Sequence, residues 1–318
     1  MVELEDSDGV IGIGECAPSK RYGEDLETVR AFLQNLDLSD ATFEEPGPFL
    51  DRLQINGAGQ MAAVCGLDIA LLDGAGQKAS QPLYDYLGLG FEEDKHVTSF
   101  SIGIDSPDRI IEKVKEASNY PILKLKLGHP NDREHLAALR SAAPSKTVRV
   151  DGNEAWTKKE EALKNINWLA EDPNVEFVEQ PMPASIPLAD QVWLKERSPL
   201  PLMGDESFHN SSDVDQCARA FDSVNAKLVK TGGVWEAKKA LTLARQKGLK
   251  TMIGCMIETS VLISAAAHLS SLTDFLDIDG NLLVSNDPFE GVTAVDGKIS
   301  FKPIEERTGL GVRRLRLD

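Results

Sequence analysis

From residue 97 onward, short apolar runs recur at near-regular intervals: "VTSFSIGI", "ILKLKLG", "TVRVD", "VEFVEQ", "LMGDE", "VNAKLVK", "TMIGC" and "FLDID". Between them lie stretches whose apolar residues repeat every three to four positions, such as 107–118, 131–143, 158–170 and 234–247. Strand-length runs alternating with helix-period stretches predict parallel pairing through right-handed crossovers. Eight such runs are the number that closes a (β/α)8, TIM-like barrel.

The flanks read differently. "VELE" and "VIGIGE" around an acidic "DSDG" turn predict a hairpin, followed by helical patterns at about 25–36 and 47–55. A longer helical pattern runs from Gly59 to about Lys78, with Ala62, Ala63, Leu67, Ala70 and Leu71 on one stripe. The glycines of "LGLGF" match no phosphate-loop spacing and read as turn chemistry. After Asn286, "VTAVDGKISFK" is hairpin-like again. The predicted organisation is a smaller α+β cap over 1–95, a barrel over 96–285, and a tail over 286–318 that returns to complete the cap.

Parity within one run raises the first chemical question. In "ILKLKLG", Ile122, Lys124 and Lys126 share one face, and Leu123, Leu125 and Leu127 the other. On a half-exposed strand the lysines would simply face water. Barrel strands are covered on both faces, so here the leucines pack under helices and the lysines point inward, where an unpaired ammonium is costly.

Barrel active sites lie at the C-terminal strand ends. Those positions hold Lys124 and Lys126 on the second run, Asp151 on the third, Glu179 on the fourth and Asp205 on the fifth. The sixth delivers Lys230, the seventh runs into "GCMIETS", and the eighth ends in Asp277 and Asp279. Any single acid could merely cap the next helix. Three on successive strands would repel one another unless a hard divalent cation resolves them, and all-oxygen ligation favours Mg2+, with Mn2+ the other cation it accepts. Lys124 and Lys126 on the second run and Lys230 on the sixth are expected to stand nearly across the barrel from each other, with that cation between them. That geometry suits removal of a proton α to a carboxylate, with the metal stabilising the enediolate and reprotonation from the opposite face inverting the centre. Lys124 is expected to support Lys126 by lowering its pKa.

The set "KLKLG", "VRVDGNEAW", "VEQP", "MGDES" and "AKLVKTGG" resembles the enolase superfamily, in the subgroup of muconate-lactonising enzymes, o-succinylbenzoate synthases and dipeptide epimerases. The resemblance implies Asp151, Glu179 and Asp205 as ligands of one Mg2+ per subunit, and Lys126 and Lys230 as the acid/base pair. It disfavours the mandelate-racemase branch, which would place a histidine where Cys255 and Met256 stand. "LDIDG" is similar to the Asp-x-Asp of dipeptide epimerases and implies that Asp277 and Asp279 hold a substrate α-ammonium. By the same resemblance Ser101, Cys255 and Ile257 line the dipeptide, and the implied reaction is epimerisation at its C-terminal residue, L-Ala-D/L-Glu being the usual substrate. Glu154 and Ala155 stand where many relatives have Gln and Gly, which is expected to retune the pocket rim. Relatives also carry a further strand and a mobile closing loop before "VELEDSDGVIGIGE", and a chain without them is expected to leave its site more open to water.

Two other readings stay open on the sequence. One is a cycloisomerase, o-succinylbenzoate synthase or N-acylamino acid racemase of the same subgroup. The other is a non-catalytic metal-binding barrel. The net charge of −17 disfavours a nucleic-acid surface. No apolar run approaches the ~20 residues of a membrane span, and the opening residues lack a signal-peptide pattern. Four separated cysteines (Cys16, Cys65, Cys217, Cys255) suit a reduced, cytoplasmic setting. A closed homo-oligomer is the general expectation for such enzymes.

Overall fold

Two glycines let the N-terminal hairpin lie directly on a helix. Strands β1 (Val2–Glu5) and β2 (Ile11–Gly14) pair antiparallel. Helices α1 (Leu26–Gln34) and α2 (Pro46–Asn56) follow, then α3 (Met61–Lys78), against which β2 packs. A Cβ on Gly12 would sit 2.0 Å from the Ala70 carbonyl oxygen, and one on Gly14 1.9 Å from that of Gly66. Only glycine permits this approach. The computed structural model describes residues 1–315.

The alternating runs form one eight-stranded parallel sheet. Its strands are β3 (Phe100–Ile102), β4 (Ile122–Lys126), β5 (Thr147–Asp151), β6 (Val175–Glu179), β7 (Leu202–Gly204), β8 (Ser223–Lys227), β9 (Lys250–Gly254) and β10 (Phe275–Asp277). Each pairs with its sequence neighbour. A parallel bridge between Thr98 and Leu276 joins β3 back to β10 and closes the barrel. The chain therefore folds as the predicted capped TIM-like barrel. Leu123 and Leu125 are fully buried under the helices, as parity requires. At the N-terminal end the interior is filled by Phe177, Met203 and Met252 packed on Phe275. There Arg149 lies over the Phe177 and Phe275 rings and donates to Glu176 and the Leu276 carbonyl. The open end for chemistry is thus the C-terminal one.

Buried carboxylates pin cap to barrel by capping helix N-termini. Asp68 of α3 accepts from the backbone N–H of Val234 and Trp235, which open helix Val234–Gln246. Glu15, just past β2, accepts from Thr259 and Leu262 at the start of helix Ser260–Ala267. The tail does more than rejoin the cap. The pair β11 (Phe289–Glu290) and β14 (Arg313–Arg314) lies near helix Ser260–Ala267, and Leu310 donates to Asp73 of α3. The intervening hairpin, β12 (Thr293–Val295) with β13 (Lys298–Ser300), instead pairs with Val97 at the foot of the barrel. Among the described residues no helix is long and apolar enough to cross a membrane.

Candidate active site

Asp151 ends β5 and Glu179 ends β6, paired in register, and Asp205 stands one residue past β7. All three are buried. Each has one oxygen fixed by the protein: Asp151 Oδ1 accepts from the Asn153 N–H (3.0 Å), Glu179 Oε1 from Asn225 Nδ2 (2.8 Å), and Asp205 Oδ1 from Lys230 Nζ (2.5 Å). The other oxygen of each receives no aligned hydrogen bond. Fixed carboxylates with a spare buried oxygen on neighbouring strands suit a hard divalent cation. Lysine ammoniums flank those spare oxygens, Lys124 Nζ at 3.2 Å from Asp151 and 2.8 Å from Glu179, and Lys227 Nζ at 2.9 Å from Asp205. Among the described residues the acids crowded within 4.8 Å of one another are Asp6, Asp8 and Glu44 of the cap. Lys78 already sits among these at 2.6–2.8 Å. The strand-end acids are spaced more widely, around their lysines.

Charge balance differs sharply among the three acids. Burial pushes Glu179 up to about 8 despite Lys124. Burial would also raise Asp205, but Lys227 and Lys230 hold it well below the usual carboxylate range. Burial disfavours the Lys124 ammonium, yet Asp151, Asp277 and Glu179 together raise it well above an ordinary lysine.

Lys126 points inward from β4, its Nζ 3.8 Å from Asp151 Oδ2 and its side chain 41% exposed to the mouth. The lysine across from it is Lys227, the last residue of β8, not Lys230. The chain leaves the strand at Leu228 and turns through a short helix, Leu228–Thr231. That turn carries Lys230 out of strand register and under Asp205, where its side chain is fully buried and donates to the Phe208 carbonyl (3.0 Å) as well as to Asp205. Lys230 therefore anchors Asp205 and has no opening to the mouth. The clue lay in parity. Asn225 reaches into the barrel to Glu179, so Lys227, two residues on, shares its face.

Asp277 ends β10 and bonds Lys124 Nζ (2.7 Å) and Ser99 Oγ (2.6 Å). Asp279 accepts from the Ser101 N–H (2.7 Å), with Cys255 Sγ 3.9 Å from its other oxygen. Burial and the neighbouring Asp277 raise Asp279 to about 6. Ser101 and Cys255 thus meet the acidic pair, whereas Ile257 projects from the loop after β9 and is largely exposed.

Beside Glu154, the rim holds residues that the sequence did not single out. Asn153, Glu154 and Gln180 adopt positive φ (43°, 64° and 33°), a cost that side chains bear where geometry must be held. Gln180 Oε1 accepts from the N–H of Asp205 and of Ser207, orienting the third acid. Glu154 accepts from the Ala184 N–H and pairs with Arg21 of the cap, so the departure at 154 ties rim to cap. Next to Arg21, the Tyr22 hydroxyl is pushed up to about 12 by burial and by Asp205. The segment 16–25 therefore reaches over the mouth. Periodicity could not show this, because its path is set by Glu24 capping α3 through Met61 and Ala62.

A barrel whose strand ends gather three acids between opposed lysines, under an α+β cap, defines a class of enzyme built on the TIM-like scaffold. Residues 1–88 match the family described as mandelate racemase / muconate lactonizing enzyme, N-terminal domain, and residues 109–314 that described as enolase C-terminal domain-like. The chain is 54% identical over 313 residues to the L-Ala-D/L-amino acid epimerase of Pedosphaera parvula (strain Ellin514), covering 98% of this chain and 90% of that protein. It superposes with a TM-score of 0.90 on a substrate-liganded L-Ala-D/L-Glu epimerase from Bacillus subtilis, at 26% identity over 99% of this chain and 90% of that one. A dipeptide epimerase from Cytophaga hutchinsonii, complexed with Mg and D-Ala-L-Val, gives 0.88 at 28% identity over 99% and 88%. The chain belongs to the mandelate racemase / muconate lactonizing enzyme family of the enolase superfamily.

Proposed function

We infer that this chain is a Mg2+-dependent dipeptide epimerase that inverts the α-carbon of the C-terminal residue, with Lys126 and Lys227 as the two bases. The observation that carries this reading is their placement. Lys126 on β4 and Lys227 on β8 are four strands apart in a closed eight-stranded barrel, so they approach the three acids from opposite sides. Asp151, Glu179 and Asp205 would hold the divalent cation, which would supply positive charge at the substrate carboxylate. One lysine, as a neutral amine, takes the α-proton, and the electron pair delocalises into the carboxylate. The other, as an ammonium, returns a proton to the opposite face. Asp277 and Asp279 hold the α-ammonium of the N-terminal residue. That requirement separates an epimerase from a lactonising or o-succinylbenzoate enzyme, which has no ammonium to place. Lys230, Asn225 and Gln180 position the acids.

The test is a dipeptide panel in deuterated water with Mg2+, read by mass spectrometry. One deuterium at the C-terminal α-carbon together with inversion is expected for part of the panel. No exchange with any dipeptide contradicts the reading.

A further inference from the structure

Beside the acids the mouth opens into a groove of about 270 Å³ whose walls include Phe100, Ser101, Ile104, Ile110, Lys126 and Leu283. It touches the site at two residues only, the proposed base Lys126 and Ser101, whose N–H holds Asp279. Its outer walls are continuations of the same two elements. Ser101 leads through Gly103 to Ile104, and Asp279 leads into the turn Gly280–Leu283. Ile104 and Leu283 are 47% and 43% exposed, large apolar side chains with no cover. Asp105 and Lys113 also line the groove, but Leu282 and Ile257 lie exposed on the neighbouring strand-end loops, so the exposed large side chains here include four apolar ones, where the opposite rim carries Arg21, Glu154 and Glu206. A Cβ at Gly103 would meet nothing within 4 Å, so the groove is not choked at its neck.

Given the dipeptide reading above, on which this rests, we propose that the groove is the subsite for the side chain of the N-terminal residue, and that the enzyme prefers a large aliphatic residue there over alanine. An ammonium bound at Asp279 places the N-terminal α-carbon beside Ser101, at the groove's inner end. A methyl group leaves Ile104 and Leu283 in water. A leucine or isoleucine side chain covers both, and apolar area removed from water favours it. The discrimination expected from two or three added carbons in such a pocket is about tenfold or more in kcat/KM.

The experiment uses the full chain with Mg2+ and compares L-Ala-L-X with L-Leu-L-X for one X, following α-deuteration. The proposal expects L-Leu-L-X to exceed L-Ala-L-X by about tenfold in kcat/KM, mainly through KM. Leu283→Asp and Ile104→Asp, both at exposed positions that tolerate charge, are expected to reverse the ranking by costing the leucyl substrate at least tenfold more than the alanyl one. Exchange with L-Ala-L-X that equals or exceeds that with L-Leu-L-X overturns the subsite while leaving the epimerase reading intact. No exchange with either, or with the wider panel, overturns that reading itself. Equal losses for both substrates in the Leu283 and Ile104 variants also overturn the subsite, since they mark the groove as the path of the peptide backbone.

Discussion

In the proposed reading, Asp279 would carry both recognition and pH dependence in a single side chain. It is buried, takes one backbone N–H from Ser101, and has its carboxyl raised to about 6 by burial and Asp277. As a carboxylate it attracts an ammonium, and below about pH 6 it is protonated and does not. KM for a dipeptide should therefore rise as pH falls through that range, and steady-state kinetics between pH 5 and 8 check it. Asp279→Asn should raise KM about 30-fold or more at pH 8, the ~2 kcal/mol lower bound for a buried charge pair. It should also remove the pH dependence of KM, whereas a merely structural aspartate would give an Asn variant with KM unmoved.

Elements decide which residues can reach the site. Asp151 and Glu179 were legible because a strand carries its last inward residue to the mouth, and the apolar runs mark those ends sharply. Lys227 was not, because "VNAKLVK" reads as one apolar run although the backbone leaves the strand at Leu228. Alternation from Asn225 holds the answer, but only once the strand's end is known. Arg21 and Tyr22 left no periodic signal at all, since a loop's course over the mouth depends on tertiary packing. Lys230→Met removes a buried donor from the Asp205 carboxylate and from the carbonyls of Asp205, Phe208 and Asn225. It should cost about 3–5 kcal/mol by thermal or urea unfolding, in the range for breaking a buried pair, while the folded fraction still epimerises. Gly14→Ala should be worse tolerated than Gly9→Ala by the same measurement. Gly14 abuts the Gly66 carbonyl, whereas Gly9 has open space and faces only the strain of its positive φ of 80°.

For the whole molecule, buried carboxyl groups, Asp68 between cap and barrel and Glu258 in the loop after β9, give stability a defined pH profile. Burial raises Asp68 and Glu258 to about 8 each. Native protein keeps them protonated at neutral pH, while the unfolded chain ionises them above about pH 4–5, so their contribution is lost as pH rises toward 8. His268 acts in the opposite sense. Burial lowers it to about 3, so the unfolded chain takes up a proton below about pH 6.5 that the native imidazole cannot. The two carboxyls outweigh the single imidazole, so the Tm of chelator-treated protein should fall as pH rises from about 5, with its steepest alkaline limb between about pH 6.5 and 8. Glu258→Gln keeps the acceptor for the Met256 N–H and removes the ionisation, so it should flatten the alkaline limb. A wild-type Tm that rises between pH 7 and 8.5 would contradict this assignment of buried protons.

The central claim is that two lysines, Lys126 and Lys227, address one α-carbon from opposite faces. The most direct measurement follows each enantiomer of a dipeptide substrate separately in deuterated water, with Lys126→Met, Lys227→Met and Lys230→Met beside the parent. Inversion should fall by about 10³-fold or more in both of the first two, a loss typical of removing a general base or acid. Any residual exchange should be confined to one enantiomer in Lys126→Met and to the other in Lys227→Met, and Lys230→Met should invert both. Inversion that survives in folded Lys227→Met and disappears in folded Lys230→Met would contradict the account.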